Sequence, residues 1–147
     1  MNQFELDDVD TKIIARLRKE NINNSALAQE LGLSEGTVRQ RIKKLKESGV
    51  LKIMALINPD SLVNKQLTAI SVSIKETRLL DAKAKEISEL DGVLSVSIVS
   101  GRYDLIVEAL VDSNHGLVKF LTETLARIDG VSHTESFLML KNYNKYV

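Results

Sequence analysis

The chain has 147 residues, enough for one ordinary domain or two small ones, and its 44% hydrophobic and 27% charged composition is typical of a globular protein. Its 20 basic and 20 acidic residues give no net charge, and the absence of cysteine excludes disulfides and thiol chemistry. The sequence has no signal-type apolar segment near its start and no apolar run near the roughly 18 residues of a membrane span, so we expect a soluble, cytoplasmic protein with no membrane partner.

The N-terminal third of the sequence predicts three short helices. The first has apolar residues at helical spacing, which are Leu6, Val9, Ile13 and Leu17. The second begins at a cap, Asn24 or Ser25, and ends at Gly32, which can adopt a positive φ. Ser34 caps the third helix and Gly49 ends it, so the second and third helices are joined by the sharp turn of a helix-turn-helix.

The third helix is strongly basic, although the whole chain is neutral. Between Ser34 and Lys52 there are six basic residues and two acidic ones. When Val38, Ile42 and Leu45 are turned toward the core, small and polar residues lead the outer face and bases follow. This order suits a recognition helix that enters the major groove by its N-terminal half.

Candidate DNA-contacting residues lie on this outer face and its flanks. Gln40 can pair with an adenine edge and Arg39 with a guanine edge, whereas the lysines and Arg41 would hold phosphates. The full candidate set is Ser34, Gly36, Thr37, Arg39, Gln40, Arg41, Lys43, Lys44 and Lys46. The simpler alternative, for this stretch by itself, is a solvated basic face with no partner.

The apolar period changes after Gly49. VLKIMALINPD, which reaches Pro59, predicts a hinge strand or an extended link, and one short helical turn follows at 60–64. Two β-α-β units come next. Their predicted elements are a strand at 66–75, a helix at 79–90, strands in VLSVSIVS and YDLIVEALV, a helix capped by Ser113 or Asn114 that ends near Ile128, and a last strand in VSHTESFLMLK.

A weak internal repeat supports this order of elements. Leu90-Asp91-Gly92-Val93 recurs as Ile128-Asp129-Gly130-Val131, each time with a glycine that follows a helix and precedes a strand. The pattern predicts an α+β chain in which the three helices precede a ferredoxin-like βαββαβ unit, with an antiparallel four-stranded sheet and both helices on one face. Leu, Val and Ile side chains on the bare face would need a partner, so we expect dimerisation through it.

Along nearly its whole length the chain resembles the Lrp/AsnC, or feast/famine, transcriptional regulators. The matching stretches are LDDVDTKII, LAQELGLSEGTVRQRIKKLKESGVLK and GRYDLIVEA. The family pattern Ser-x-x-Thr-Val-x-x-Arg-Ile-x-x-Leu-x-x-x-Gly is filled by Ser34, Thr37, Val38, Arg41, Ile42, Leu45 and Gly49. The resemblance implies a helix-turn-helix DNA-binding domain of the winged-helix type at residues 1–50, a hinge strand and linker at 51–65, and a ferredoxin-like (RAM-type) effector-binding and oligomerisation domain at 66–147.

The resemblance also implies partners and a ligand site. Family members form homodimers that often assemble into octamers, bind pseudo-palindromic double-stranded promoter DNA, and in many cases respond to a small amino acid held between dimers. The corresponding residues here are Gly101, Arg102, Tyr103, Asp104, Thr134 and Ser136. Asp104 could hold the ligand's ammonium group, and the Gly101 backbone or Arg102 its carboxylate. The alternative is structural, with a turn glycine, packing by Tyr103 at an interface, and an aspartate that caps the loop or pairs with Arg102.

Two other functions stay open from the sequence. Some haem-biosynthesis decarboxylases resemble the same two-domain family and use histidines in the ligand domain, so His115 and His133 keep an enzyme alternative in view. Two isolated histidines without cysteine make a poor metal site, and we expect no metal, no cofactor and no catalytic residue. The third function is an architectural protein that coats DNA and takes no effector.

Overall fold

The computed structural model describes residues 4–147 and contains two compact units that divide after Ala55. The first unit consists of three helices: α1 (Asp8–Leu17), α2 (Asn24–Leu31) and α3 (Glu35–Glu47). Ile13, Leu27, Val38 and Leu45 are fully buried where the three helices meet. Within the described residues, every helix is too short or too polar to span a lipid bilayer.

Side chains at the helix ends fix where each helix begins and stops. Asp7 caps α1 and forms a reciprocal capping box with Asp10. Gly32 ends α2 with a φ of 66°, and Ser34 caps α3 by accepting a hydrogen bond from the Thr37 amide at 3.1 Å. The predicted cap of α2 is wrong by one residue: Asn23, in an extended conformation, accepts from the Ala26 amide at 2.8 Å, which makes its neighbour the first helical residue.

The second unit has the predicted ferredoxin-like arrangement. Its strands are β1 (Lys65–Ile74), β2 (Val93–Ile98), β3 (Leu105–Asp112) and β4 (Val131–Leu138), in the order β2-β3-β1-β4, and every neighbouring pair is antiparallel. Helix α4 (Leu80–Ser88) follows β1, and a helical segment that begins with α5 (Gly116–Lys119) follows β3. One face of the sheet buries the core against these helices through Ile70, Val72, Leu105, Val107 and Ala109, and Ile87, Phe120 and Leu125 pack on them.

The helical segment between β3 and β4 begins and continues differently from the prediction. Neither Ser113 nor Asn114 caps it; the preceding residue is His115, which has a φ of 60°. The next residue is Gly116, at which a Cβ would lie 2.9 Å from the Asp112 Cβ. A glycine is needed there because the helix begins in close contact with the end of β3. After Lys119 the backbone widens into a π-helical turn at Phe120–Thr124 and tightens into a 3₁₀ turn at Leu125–Arg127.

The segment that joins the two units is extended and irregular. Residues 51–58 adopt no regular secondary structure in the single chain, and the short turn that follows is a 3₁₀ helix at Pro59–Ser61. Ile57 and Val147 exchange two backbone hydrogen bonds of 2.8 and 3.0 Å, and Asp60 accepts from the backbone amide and the side-chain amide of Asn142. The large apolar side chains of this segment are about half exposed: Ile53, Met54, Leu56 and Ile57.

The face of the sheet opposite the helices carries both apolar and polar side chains. The register places Leu67, Leu110, Ile106 and Phe137 there, together with the polar side chains Ser95, Glu108 and Glu135. Part of this face is covered within the chain, since Leu67 is only 2% exposed and Lys145 Nζ lies 2.6 Å from Glu108 Oε1.

Candidate nucleic-acid interface and ligand loop

The outer face of α3 is exposed in the orientation that the helical wheel predicted. Val38 and Leu45 are fully buried and Ile42 is half-buried, which fixes the rotation of the helix. The residues that this rotation turns to solvent are Gly36, Arg39, Gln40, Lys43, Lys44 and Lys46. Small and polar residues therefore lead the exposed face and bases follow, an order that fits insertion of the helix's first half into a groove of DNA.

Two bases on the exposed face form ion pairs within α3. Arg39 pairs with Glu35, and Lys43 Nζ lies 3.7 Å from Glu47 Oε1, each pair one helical turn apart. All four side chains are at least 45% exposed, so these pairs contribute little free energy and are easily exchanged for other partners. Within residues 4–147, Gln40 and Lys46 make no side-chain hydrogen bond or ion pair.

Arg41 is held in a different way, by two carboxylates of α1. Its Nη1 donates to Asp7 Oδ2 at 2.6 Å and to Asp10 Oδ1 at 2.9 Å. The Asp10 amide and the Arg41 guanidinium together lower the pKa of Asp7 below its ordinary value of 3.8. Lys44 lies on the same side of α3, with its ammonium 5.3 Å from the centre of the Phe4 ring.

The two predicted hydroxyl contacts, Ser34 and Thr37, first serve the start of α3. Ser34 Oγ accepts from the Thr37 amide and is also hydrogen-bonded to Thr37 Oγ1 at 2.8 Å. Ser34 is exposed and Thr37 half-buried, so both hydroxyls stay close to solvent at the N-terminal end of the helix. A hydroxyl keeps further donor or acceptor capacity after one such bond, which leaves both residues able to meet a backbone phosphate.

The predicted ligand loop connects β2 to β3 and is tied to the end of β1 by Asp104. The Asp104 amide donates to the Val72 carbonyl at 3.0 Å, and its Oδ2 accepts from the Ile74 amide at 2.7 Å. The Asp104 carbonyl also accepts from the Val99 amide at 3.0 Å, which closes the loop. Gly101, at the exposed tip, has a φ of 145°, a conformation that disfavours any residue with a side chain.

Tyr103 joins this loop to β4 through Glu135 and His133, neither of which the sequence predicted in the ligand site. Its hydroxyl donates to Glu135 Oε2 at 2.5 Å, and this bond raises the pKa of Tyr103 above its ordinary value of 10.0. Its ring stacks on His133, with centroids 6.0 Å apart and planes inclined by 9°, while the Arg102 guanidinium lies 5.8 Å from the Tyr103 ring centre. Only the two-residue period of β4 could have pointed to His133 and Glu135 as a pair on one face.

Thr134 and Ser136 lie on the opposite face of the sheet from Glu135. They pair directly with Val72 and Ile70 of β1, whose side chains enter the core, so both point to the helix side. Both are half-buried, and Thr134 borders a groove of about 410 Å³ that is also lined by Leu121 and Leu125. The single chain therefore brings Gly101, Arg102, Tyr103 and Asp104 together on one loop but does not bring Thr134 and Ser136 to that loop's Tyr103.

The two histidines of the chain lie in different elements of the second unit. Within residues 4–147, no three carboxylate or imidazole side chains gather closely enough to hold a metal ion. His115 belongs to the turn before α5, and His133 stacks on Tyr103.

The two units, a basic helix-turn-helix and a ferredoxin-like unit, are the combination typical of a two-domain DNA-binding regulator. Residues 6–52 match the family model described as winged helix-turn-helix DNA-binding, and residues 67–146 match the model described as Lrp/AsnC ligand binding domain. The chain therefore belongs to the Lrp/AsnC family, whose members are DNA-binding transcriptional regulators, and it is such a regulator, not an enzyme.

Individual relatives agree with this assignment over nearly the whole chain. The HTH-type transcriptional regulator FL11 of Pyrococcus abyssi is 30% identical over 145 residues, which cover 97% of this chain and 95% of the relative. The HTH-type transcriptional regulator Ptr1 of Methanocaldococcus jannaschii is 32% identical over 141 residues, covering 94% of each chain. Among solved structures, the transcriptional regulator NMB0573 of Neisseria meningitidis, in complex with L-Met, superposes with a TM-score of 0.73 and is 26% identical, covering 96% of this chain and 94% of that one.

Proposed function

We propose that the protein regulates transcription by binding a specific promoter sequence through the exposed face of α3, and that a small amino acid bound at the loop 101–104 modulates this binding. The observation that carries the proposal is the composition of that face, where Gly36 and Gln40 are followed by lysines at helical spacing. Gly36 permits close approach of the backbone to DNA, and its added Cβ would meet only Ser34 Oγ, at 3.8 Å. Gln40, which is an exposed residue, is the proposed base-reading residue.

The proposed phosphate contacts are the bases around this reading position. Lys43 and Lys46 are exposed, and Arg39 leaves Glu35 at little cost because both partners are in solvent. Ser34 and Thr37, at the helix start, add neutral hydroxyl contacts, and the positive end of the α3 dipole favours a phosphate at the same place. Such contacts fix the register of the protein on DNA and carry the salt-dependent part of its affinity.

The proposed ligand is an amino acid, since the loop 101–104 offers partners for both ends of a zwitterion. Within residues 4–147, Asp104 accepts from the Ile74 amide through Oδ2 and has Oδ1 left for an ammonium group. Arg102 is exposed at the loop tip and suits a carboxylate. The relative NMB0573, solved in complex with L-Met, supports this class of ligand. Because Thr134 and Ser136 face the other side of the sheet, we assign them to the site of a neighbouring chain.

The proposal includes a homodimer that assembles further, as far as an octamer. The open sheet face carries Phe137 on β4, which is 50% exposed, and Leu110 and Ile106 on β3. The linker carries the four half-exposed apolar residues of 53–57. An exposed apolar surface of this kind is typical of an interface. A two-fold dimer would also present two α3 helices to a pseudo-palindromic site, and we expect the assembly to act in the cytoplasm, where it meets DNA.

Selection of binding sequences from random double-stranded DNA tests this function directly. A specific regulator enriches one motif with two related half-sites, spaced by about one helical turn or a multiple of it. Enrichment of no motif, despite retention of DNA, would instead support an architectural protein that coats DNA. A Gln40→Ala variant, selected in parallel, should enrich a motif that has lost its preference at one position in each half-site.

A further inference from the structure

The two flanks of the recognition helix α3 differ in charge. On the flank next to α1, a groove of about 400 Å³ is lined by two bases, Arg41 and Lys44, and by three carboxylates, Glu5, Asp7 and Asp10, and α3 also contributes Thr37 and Gln40 to its lining. On the other flank lie three bases, Arg39, Lys43 and Lys46, of which the first two pair with carboxylates of α3 itself. A phosphate is therefore repelled inside the groove, beside the three carboxylates, and attracted by the bases of the other flank.

Arg41 cannot leave its partners as readily as the other bases can. It joins Asp7 and Asp10, which are the N-cap and the third residue of α1 and form that helix's capping box. The side chain of Asp10 is only 10% exposed. Among residues 4–147, the only other partner of this carboxylate is the Asp7 amide, through a long bond of 3.4 Å. Removing one partner from a buried ion pair leaves an uncompensated charge, which is strongly unfavourable.

The bases on the other flank are held by exposed partners. Glu35 and Glu47 are 45% and 66% exposed, so either carboxylate returns to water without penalty when a phosphate takes its base. Both pairs also lie within one helix, so their exchange does not disturb the contact between α1 and α3. The structure thus separates bases that are free to meet DNA from a base that joins two helices.

We propose that DNA lies along the flank of α3 formed by Arg39, Lys43 and Lys46, and that Arg41 is a positioning residue that fixes α3 on α1 and touches no phosphate. This inference rests on the proposed DNA-binding function and specifies how the helix meets its target. Asp7, which is half exposed, and Glu5 keep the duplex away from the α1 flank. Lys44, above Phe4, belongs to this closed flank.

Neighbouring lysines on the two flanks provide a matched test. Fluorescence anisotropy across a salt series, on the motif found by selection and on shuffled DNA, gives the slope of log K against log salt for each variant. Lys43→Ala should reduce the magnitude of this slope by about 0.9, the value for one lost phosphate contact. Lys44→Ala should leave the slope unchanged, although both variants remove one exposed charge from the same helix. An equal reduction for Lys44→Ala would overturn the proposal.

Arg41→Gln tests the positioning role itself. We expect an unchanged salt slope together with a smaller ratio of affinity for the motif over shuffled DNA, because a displaced α3 no longer aligns Gln40 with its base. A slope reduced by about 0.9, with an unchanged affinity ratio, would make Arg41 an ordinary phosphate contact.

Asp7→Asn decides the question even if Arg41→Gln does not fold. Asparagine is as good an N-cap as aspartate, so the variant removes one negative charge and keeps the start of α1. We expect several-fold tighter binding to the motif and to shuffled DNA alike at low salt. Weaker or unchanged binding would contradict the repulsion by the α1 flank. Failure of the unmodified protein to bind any DNA would instead refute the proposed function, and this inference with it.

Discussion

The carboxylate of Asp104 accepts a hydrogen bond from the backbone amide of Ile74 at 2.7 Å, and the Asp104 amide donates to the Val72 carbonyl. These two bonds fix the start of β3, and with it the loop 101–104, to the last residues of β1. The same side chain that was expected to bind a ligand therefore also shapes the loop. Its structural and ligand-binding roles can be separated because they use different atoms of the carboxylate.

Replacing Asp104 by asparagine or by alanine separates the two roles. Asparagine keeps an oxygen for the Ile74 amide but has no charge for an ammonium group, so Asp104→Asn should fold and bind DNA normally but lose any response to an amino acid. Asp104→Ala should in addition lower the free energy of unfolding by about 1–2 kcal/mol, because the Ile74 amide loses its partner. Thermal unfolding and anisotropy with a panel of amino acids measure both effects. A normal response in the asparagine variant would place the ammonium site elsewhere.

Two glycines at equivalent positions of the internal repeat should differ in their tolerance of alanine. Gly92 and Gly130 both have positive φ, 81° and 93°. A Cβ on Gly92 would lie 2.9 Å from the Leu110 carbonyl oxygen, whereas a Cβ on Gly130 would meet only the Lys83 Cε, at 3.9 Å. We expect Gly130→Ala to cost about 1–2 kcal/mol from backbone strain alone, and Gly92→Ala about 3 kcal/mol because the clash adds to the strain. Equal losses of unfolding free energy in denaturant titrations would mean that β3 shifts at Leu110 to accommodate the new Cβ.

Gln40→Ala should change which DNA sequence is preferred more than it weakens binding in general. The side chain is exposed on the leading half of α3 and carries no charge, so its loss should reduce discrimination at one base pair by about 1–3 kcal/mol. Competition assays with single-base variants of the selected motif measure this discrimination. Lys43→Ala serves as the control, since its effect should be the same on every sequence. A uniform loss on all sequences for Gln40→Ala would contradict a base-reading role.

The N-terminal unit should lose stability in acid through Asp7. The Asp10 amide and Arg41 lower the pKa of Asp7 in the folded state below the ordinary 3.8, so folding favours its charged form. This contribution is complete above the unfolded-state pKa and disappears as the pH falls through the lowered folded-state pKa. Thermal midpoints measured from neutral pH down to this acid range should therefore fall less steeply in Asp7→Asn than in the unmodified protein. Parallel curves of thermal midpoint against pH for the two proteins would show that the charged form of Asp7 adds no stability through its partners.

Features that depend on a few adjacent residues could be predicted from the sequence. Gly32 and Ser34 predict the helix-turn-helix because a residue with positive φ and a helix cap each act within one turn. Gly92 and Gly130 predict two helix-to-strand junctions for the same reason. The misplaced cap of α2 has a local cause as well. Asn23 and Asn24 are equally good caps, and only the backbone conformation decides between them.

Relationships between distant residues could not be predicted. Arg41 lies 34 and 31 positions from Asp7 and Asp10. In the sequence it therefore cannot be distinguished from any other base on a basic helix. The face occupied by Thr134 and Ser136 depends on the register of β4 against β1, which shifts between Ser73 and Ile74. A shift of one residue reverses the faces of a strand, and nothing in the composition of β4 specifies that register.

The most direct test of the account is fluorescence anisotropy of the purified protein on DNA from upstream of its own gene, compared with shuffled DNA of the same composition, over a series of salt concentrations. A sequence-specific regulator that reads DNA with α3 should bind the upstream DNA more tightly and cooperatively, and the difference should persist as salt weakens both complexes. Equal affinity for the two DNAs at every salt concentration would contradict sequence-specific regulation.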